Sequence, residues 1–364
     1  MANTLRIIHA ADLHLDSPFE ALGEKAAQRR AEQRELLERI AALARQRQAQ
    51  LLLLAGDLLD TGSAYAETGR TLCGALGGAG CPVFLAPGNH DYYGALSPYA
   101  RLELPENVHV FKTAAMSGVE LPALGARVWG AAFTDSVSPP LLRAFHAERK
   151  PGFVNIGVLH GEAGAPDSRY NPISEEEIAA SGLDYLALGH VHTCGGLRRA
   201  GDVFYAWPGC PEGRGFDECG EKGVLYLELG EGECKAEFVP LEGRRYEIVR
   251  VDMSRPEPLF PDSGGRDIVR LILTGETENA PDVKALYEAL QERFFALQIY
   301  DRTTPRRDIW EQSEQDSLRG LFLRRMRGMY DAAADEDERR RIIFAVRWGL
   351  AALDGGEEPA GVEL

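Results

Sequence analysis

The sequence predicts an α/β fold, on three observations. Over roughly the first 240 residues, apolar runs of strand type alternate with stretches of helical spacing. A run of strands then follows, and five of the apolar runs end in a short motif of Asp, His or Asn. In chain order, Leu5–Ala10 reads as a strand leading to Asp12-Leu13-His14. Arg29–Gln48 reads as a helix, with Leu36, Leu37, Ile40, Leu43 and Ala44 on one face and Arg and Glu on the other. Leu51–Ala55 leads to Gly56-Asp57-Leu58-Leu59-Asp60, Ala66–Leu76 forms a second helix, and Pro82–Ala86 leads to Gly88-Asn89-His90-Asp91. Asn155–Leu159 precedes His160-Gly161. Ser174–Ala180 is a helix with Ser174 and Glu177 spaced as a capping box, and Tyr185–Leu188 precedes Gly189-His190-Val191-His192. Strands over Val203–Trp207, Val224–Leu229 and Ala236–Val239 follow, with Gly230-Glu231-Gly232-Glu233 as a hairpin turn.

Near Gly243 the character changes. Strands Tyr246–Val251 and Asp267–Thr274 flank a loop rich in Pro, Gly and Ser, then come a helix, Asp282–Phe294, and a strand, Ala296–Tyr300. The expected domains are therefore 1–243, a small α+β domain at 244–304, and a helical segment at 305–356. In that last segment Asp335–Leu353 carries a stripe of Ile342, Ile343, Val346, Leu350 and Leu353, stopped by Gly355-Gly356.

With 364 residues, 45% hydrophobic and 26% charged, the composition is that of an ordinary globular protein. The start runs into a strand without a signal-peptide pattern, and no stretch is apolar enough to span a bilayer. The six cysteines form no C-x-x-C pair and read as reduced thiols, so a cytoplasmic location and no membrane association are expected. A net charge of −16 argues against a non-specific nucleic-acid coat. It does not exclude a nucleic-acid enzyme, because two divalent ions would concentrate positive charge where a phosphate must sit.

The five motifs together supply the ligands of a two-metal phosphoesterase centre. Asp12 and His14, one residue apart beyond a strand, can turn toward one ion. Gly56 lets the backbone approach the site, and the two oxygens of Asp57 suit it to bridge two ions. Asn89 offers a neutral oxygen, and His160, His190 and His192 offer ring nitrogens. This N/O set without thiolate suits manganese, iron, nickel or zinc better than calcium or magnesium. His90, next to a ligand but not itself one, is the candidate to stabilise the transferring phosphate or protonate the leaving oxygen, with Asp60 or Asp91 holding its tautomer. The bland alternative makes these acids turn residues and these histidines core residues. It competes well at any single position and poorly for seven ligands in motif order. His9, His109 and His146 lack such companions and read as structural, and Asp16 reads as a turn-capping acid.

In these motifs, in Ile8-His9-Ala10-Ala11-Asp12-Leu13-His14-Leu15-Asp16-Ser17-Pro18-Phe19, and in Pro208–Phe216 running into Glu218 and Lys222-Gly223, the chain resembles calcineurin-like metallophosphoesterases. Within them it resembles the SbcD-type DNA repair exonucleases and their YhaO-like branch. The resemblance is specific from residue 5 to about 240. It implies a β-sandwich flanked by helices, a capping domain that helps set the path of DNA, and C-terminal helices that dock on an SMC-like ATPase of the SbcC or YhaN type; here the stripe of Ile342, Ile343, Val346 and Leu350 is the candidate docking face, and a helical hairpin packed on its own cap is the alternative. It also implies one ion on Asp12, His14, Asp57 and His192 and a second on Asp57, Asn89, His160 and His190, the implied cofactors being two manganese ions with a bridging hydroxide. Pairing of two copies stays open. Serine/threonine-type phosphomonoesterases carry an arginine after the acid at Asp60. Here Thr61-Gly62-Ser63 follows, which suits a monoanionic diester. DNA is the expected substrate; a cyclic nucleotide or other small diester is the nearest alternative, and a non-catalytic scaffold for the ATPase the alternative of another class.

Overall fold

The computed structural model describes residues 4–61, 64–305 and 309–353; Met1–Asn3, Gly62-Ser63 and the helix-stopping Gly355-Gly356 lie outside the described residues. The chain divides into two compact units, one ending at Glu247 and the other beginning at Ile248.

In the first unit, β1 (Leu5–Ala10), α1 (Ala26–Gln46), β2 (Leu51–Leu54), α2 (Ala66–Gly77), β3 (Val83–Leu85), α3 (Pro98–Arg101) and β4 (Val108–Val110) come first. Next are β5 (Ser117–Leu121), β6 (Ala126–Gly130), β7 (Val154–His160), β8 (Glu162–Ala163), β9 (Pro172–Ile173), α4 (Glu175–Ala180) and β10 (Tyr185–Gly189). They are followed by β11 (Arg198–Ala200), β12 (Val203–Ala206), β13 (Gly223–Gly230) and β14 (Glu233–Pro240). Two six-stranded sheets result, in the orders β14-β13-β1-β2-β3-β4 and β11-β12-β10-β7-β6-β5. Strands β1 to β4 are mutually parallel, as are β6, β7, β10 and β12.

The layers follow from strand periodicity. Leu52 and Leu54 face α1 and α2, packing with Leu36, Leu37, Ile40, Leu72 and Leu76. Leu51 and Leu53 face the other way, against Val128, Ile156, Val158 and Tyr185 of the second sheet. The outer face of that sheet, with Leu186, Leu188 and Tyr205, is covered by Ile173, Ile178 and Phe133. Both faces of β2 are thus buried, which is why it reads as an unbroken Leu run and not as an alternation. The expected sandwich flanked by helices is the architecture observed. Helix α4 starts with the expected capping box: Ser174 accepts from the Glu177 N–H, and the Glu177 carboxylate accepts from the Ser174 N–H.

The second unit contains most of β15 (Tyr246–Asp252), then β16 (Ile268–Thr274), β17 (Glu276–Thr277), α5 (Val283–Leu290), β18 (Ala296–Asp301), β19 (Thr304–Pro305), α6 (Leu318–Asp331) and α7 (Glu336–Leu353). A three-stranded sheet, β15-β16-β18, packs Val251, Leu271 and Leu273 against Leu290 and Phe294. Helices α6 and α7 enclose Leu323, Ile342 and Val346. The stripe expected to face a partner is therefore partly internal: Ile342 and Val346 fill the seam of a helical hairpin, while Phe344 and Trp348 point outward, 44% and 37% exposed. Among the described residues, no helix is long and apolar enough to cross a membrane.

Candidate metal centre

All five motifs meet where the two sheets' parallel strands end. Asp12 and His14 leave β1, Asp57 and Asp60 leave β2, Asn89 and His90 leave β3, His160 is the last residue of β7, and His190 and His192 follow β10. The backbone leaves the strand conformation abruptly: φ is 55° at Asp12, 44° at His14, 50° at Asp57 and 92° at His190. Left-handed φ at a non-glycine residue is uncommon and strained, and it persists only where the surroundings enforce it. Here backbone bonds do so: Asp12 N–H donates to Gly56 O and His14 N–H to Asp57 O, while the Asp12 carboxylate accepts from His190 N–H at 2.9 Å. Two residues apart, His190 and His192 would share a face in a regular strand. The turn at His190 instead sends their rings to different neighbours. Gly56 and Gly88 are required by space, since a β-carbon would overlap the His160 ring at the first and the Asp57 carboxylate at the second.

The side chains form two adjoining donor groups. Nε2 of His14 and Nε2 of His192 stand 3.2 Å apart, with Asp12 Oδ1 4.0 Å from the latter. Nε2 of His160 lies 2.9 Å from Asn89 Oδ1, which is itself 3.2 Å from Nδ1 of His190. Asp57 belongs to both, its Oδ2 lying 3.3 Å from His160 Nε2 and 3.7 Å from His14 Nε2. Asp12, His14, Asp57 and His160 are essentially fully buried, whereas His190 and His192 are partly open to solvent.

The outward nitrogens decide whether this set fits cations. Nδ1 of His160 faces Ala55 O at 2.9 Å, and Nδ1 of His192 faces Glu218 Oε1 at 2.6 Å. Carbonyl and carboxylate oxygens only accept, so those nitrogens carry the protons and each Nε2 is left with a lone pair. Nδ1 of His14 lies 3.2 Å from Asp60 Oδ1, off the ideal hydrogen-bond direction. Nε2 of His190 looks toward Glu162 at 3.9 Å. The inward lone pairs thus converge on one another and on carboxylate and amide oxygens, an arrangement that only protons or cations can relieve. Donors bound about 2.0–2.2 Å from one ion stand on the order of 3 Å apart, as these do. The residues fit two divalent cations.

Protonation in the metal-free chain reflects the same crowding. Burial lowers the His160 pKa, but Asp57 more than reverses this and holds it at about 9. Burial pushes the Asp12 carboxyl up to about 6, and pushes His14 and His190 each down to about 4. Burial also raises Asp57, yet His160, His14 and His90 hold it below the ordinary carboxylate range.

A calcineurin-like phosphoesterase family model matches residues 5–194. The chain belongs to that family. It is a hydrolase of the dinuclear metallophosphoesterase type, the family expected from the motifs. Among its relatives is the uncharacterized metallophosphoesterase YhaO of Bacillus subtilis, 29% identical over 80% of this chain and 79% of that one. The SbcD component of the nuclease SbcCD of Rhodobacter capsulatus is 29% identical over 54% of this chain and 50% of its own. The DNA double-strand break repair protein Mre11 of Methanopyrus kandleri is 25% identical over 86% and 73%.

In this metallophosphoesterase His90 overhangs the donors. It is exposed, its ring meets His14 edge-on at 4.7 Å, and its Nδ1 faces the backbone oxygen of Asp60 at 2.9 Å. The carboxylates expected to hold it are engaged elsewhere. Asp60 faces His14 and Arg214. Asp91 is fully buried and accepts from the N–H groups of Leu58, Leu59 and Gly88 and from the Tyr99 hydroxyl, clamping the Asp57 loop to the Asn89 loop. Asp91, although next to His90 in the chain, turns into the interior, where those four donors occupy its carboxylate. Asp16 accepts from Tyr65 N–H and Thr68 Oγ1 at the start of α2, and His9 is buried against Tyr185 and Leu188. Sequence reasoning assigned no role to Arg214 or Glu218, which touch the centre from 22 and 26 residues beyond His192. Their only signal was the Gly-rich stretch that carries them.

Proposed function

We propose that the chain is a two-metal phosphodiesterase acting on DNA, an exonuclease or endonuclease of the SbcD type, with Asp12, His14, Asp57 and His192 holding one ion and Asp57, Asn89, His160 and His190 the other. The observation that carries this reading is the position of Asp57, one of whose oxygens is within 3.7 Å of a histidine in each donor group. Bound divalent ions supply Lewis-acid withdrawal of charge from a phosphate and a lowered pKa for water. Manganese suits the mixed N/O set. The protein's part is to aim the donors, keep their proton-bearing nitrogens outward and present His90. With Nδ1–H held by Asp60 O, the remaining Nε2 of His90 faces outward, where in protonated form it donates to a phosphate or leaving oxygen.

A diester is favoured over a dianionic monoester because the one arginine described beside Asp60 already serves two carboxylates, Asp60 and Glu218. DNA is favoured by the names of two relatives, a nuclease component and a double-strand break repair protein. The same relationships support an SMC-like ATPase partner. We place its contact on the outward face of the helical hairpin, around Phe344 and Trp348, and read the α+β part of the second unit as the DNA-guiding cap. Purified protein with manganese should cleave linear DNA in preference to cyclic nucleotides and an aryl phosphodiester. Cleavage of the small diesters alone would replace DNA with a small substrate, and no cleavage of any would leave the scaffold reading.

A further inference from the structure

We infer that Arg214 and Glu218 are positioning residues for one ion only, the one on Asp12, His14, Asp57 and His192; the inference rests on that ligand assignment. Glu218 Oε1 takes the outward proton of His192 at 2.6 Å. Arg214 spans the gap between the two ligands' outer partners: its Nη1 lies 3.2 Å from Asp60 Oδ1 and its Nη2 2.7 Å from Glu218 Oε1. Its Nε and its backbone N–H both point at Glu218 Oε2. His14, Asp60, Arg214, Glu218 and His192 therefore form a ring closed by the 3.2 Å approach of the two Nε2 atoms. The ring holds the His192 imidazole by a hydrogen bond and confines the His14 imidazole by its 3.2 Å contact with Asp60.

The loop carrying this clamp is itself fastened from α1. Arg29, with no exposed surface, bonds Glu212 at 2.9 Å and Gly213 O at 3.2 Å, and its guanidinium lies over the Phe19 ring. Burying an ion pair is costly enough that it is poor evidence for added stability, and its use here is to hold the loop in one conformation. Among the described residues the other donor group has no such carboxylate–arginine clamp: His160 Nδ1 faces a backbone oxygen, and His190, with Glu162 3.9 Å from its Nε2, packs its ring on Tyr170.

Charge and geometry make opposite predictions for Arg214. Acting only as a nearby cation, it would repel a metal ion, so its removal would tighten binding. As a fork holding two carboxylates, it improves binding, and lysine, which keeps the charge without the fork, cannot replace it. Manganese titration by calorimetry, with metal counts after dialysis, tests this in wild type, Glu218→Gln and Arg214→Lys. Two ions in the wild type establish the dinuclear centre independently of the variants; fewer than two would overturn the ligand reading on which the inference rests. In each variant one ion should weaken by about 10–100-fold, the usual effect of losing such a partner, while the other keeps its affinity. Glu218→Gln removes the buried charge that accepts from His192 and Arg214, so its metal-free melting temperature should fall, and the deciding readout is the difference between the two ions' affinities. Wild-type affinity for both ions in Glu218→Gln would overturn the inference. So would equal weakening of both ions, which would make the clamp general scaffolding.

Discussion

Replacing His90 by alanine separates chemistry from metal binding. The side chain makes one hydrogen bond, from Nδ1 to a backbone oxygen, and an edge contact with His14; its backbone N–H, which donates to Asp57 Oδ1 at 2.9 Å, survives the substitution. Loss of one bond at an exposed position should cost about 1 kcal/mol of stability or less. Loss of a transition-state donor should lower kcat by roughly 10²–10³-fold, equivalent to about 2.7–4 kcal/mol of barrier. The structure also offers a competing reading, because His14, Asp60 and His90 have ligand-type atoms within 4.8 Å of one another. The Arg214 guanidinium against Asp60 disfavours a cation there, and Nδ1 of His90 is aimed at a carbonyl. Steady-state kinetics on DNA and metal analysis of His90→Ala should thus show two retained ions, near-normal DNA binding and slow turnover. Loss of an ion would refute the reasoning and make His90 a ligand.

Metal uptake should be pH-dependent. With His160 held protonated up to about 9 in the metal-free chain, binding must displace its proton, so affinity should rise with pH by up to about tenfold per unit until about 9, more steeply below about 6 where Asp12 also binds a proton. Because the folded pKa of His160 lies above its unfolded value, its contribution to metal-free stability is full below about 6.5 and is lost as pH rises through about 9; melting curves with and without manganese should converge least at high pH. Gly88→Ala should abolish activity and displace Asp57, visible as loss of bound metal. In the hairpin, Phe344→Glu with Trp348→Glu should leave the melting curve intact and remove binding to an SMC-like ATPase in a pull-down, whereas Val346→Glu, placing a charge where no surface is exposed, should unfold the helices.

What could be read in the sequence was what local pattern carries. Each ligand motif followed an apolar run, and the strands before them lie within a residue or two of their expected ends, because both faces of those strands are buried. Strands β4 to β6 escaped notice: β4 is three residues long, β5 at the sheet edge is largely exposed, and β6 alternates in burial over five residues only, with small Ala126 and Gly130 at its buried ends. The tail was ambiguous between a docking face and a packed hairpin because α7 is apolar on more than one side, and spacing does not say whether Val346 or Trp348 meets the neighbouring helix. Pairings such as Arg29 with Glu212, 183 residues apart, leave no local trace at all. The absence of an arginine after Asp60 was a local fact too, and the fold brings Arg214 there from 154 residues away.

The central claim is a pair of ions sharing Asp57, and crystals grown with manganese test it most directly. Anomalous difference density should show two peaks about 3.5–4 Å apart, one on each side of the Asp57 carboxylate, and Asp57→Ala should reduce them to one or none. A single peak in the wild type, or two peaks undiminished in Asp57→Ala, would contradict the account.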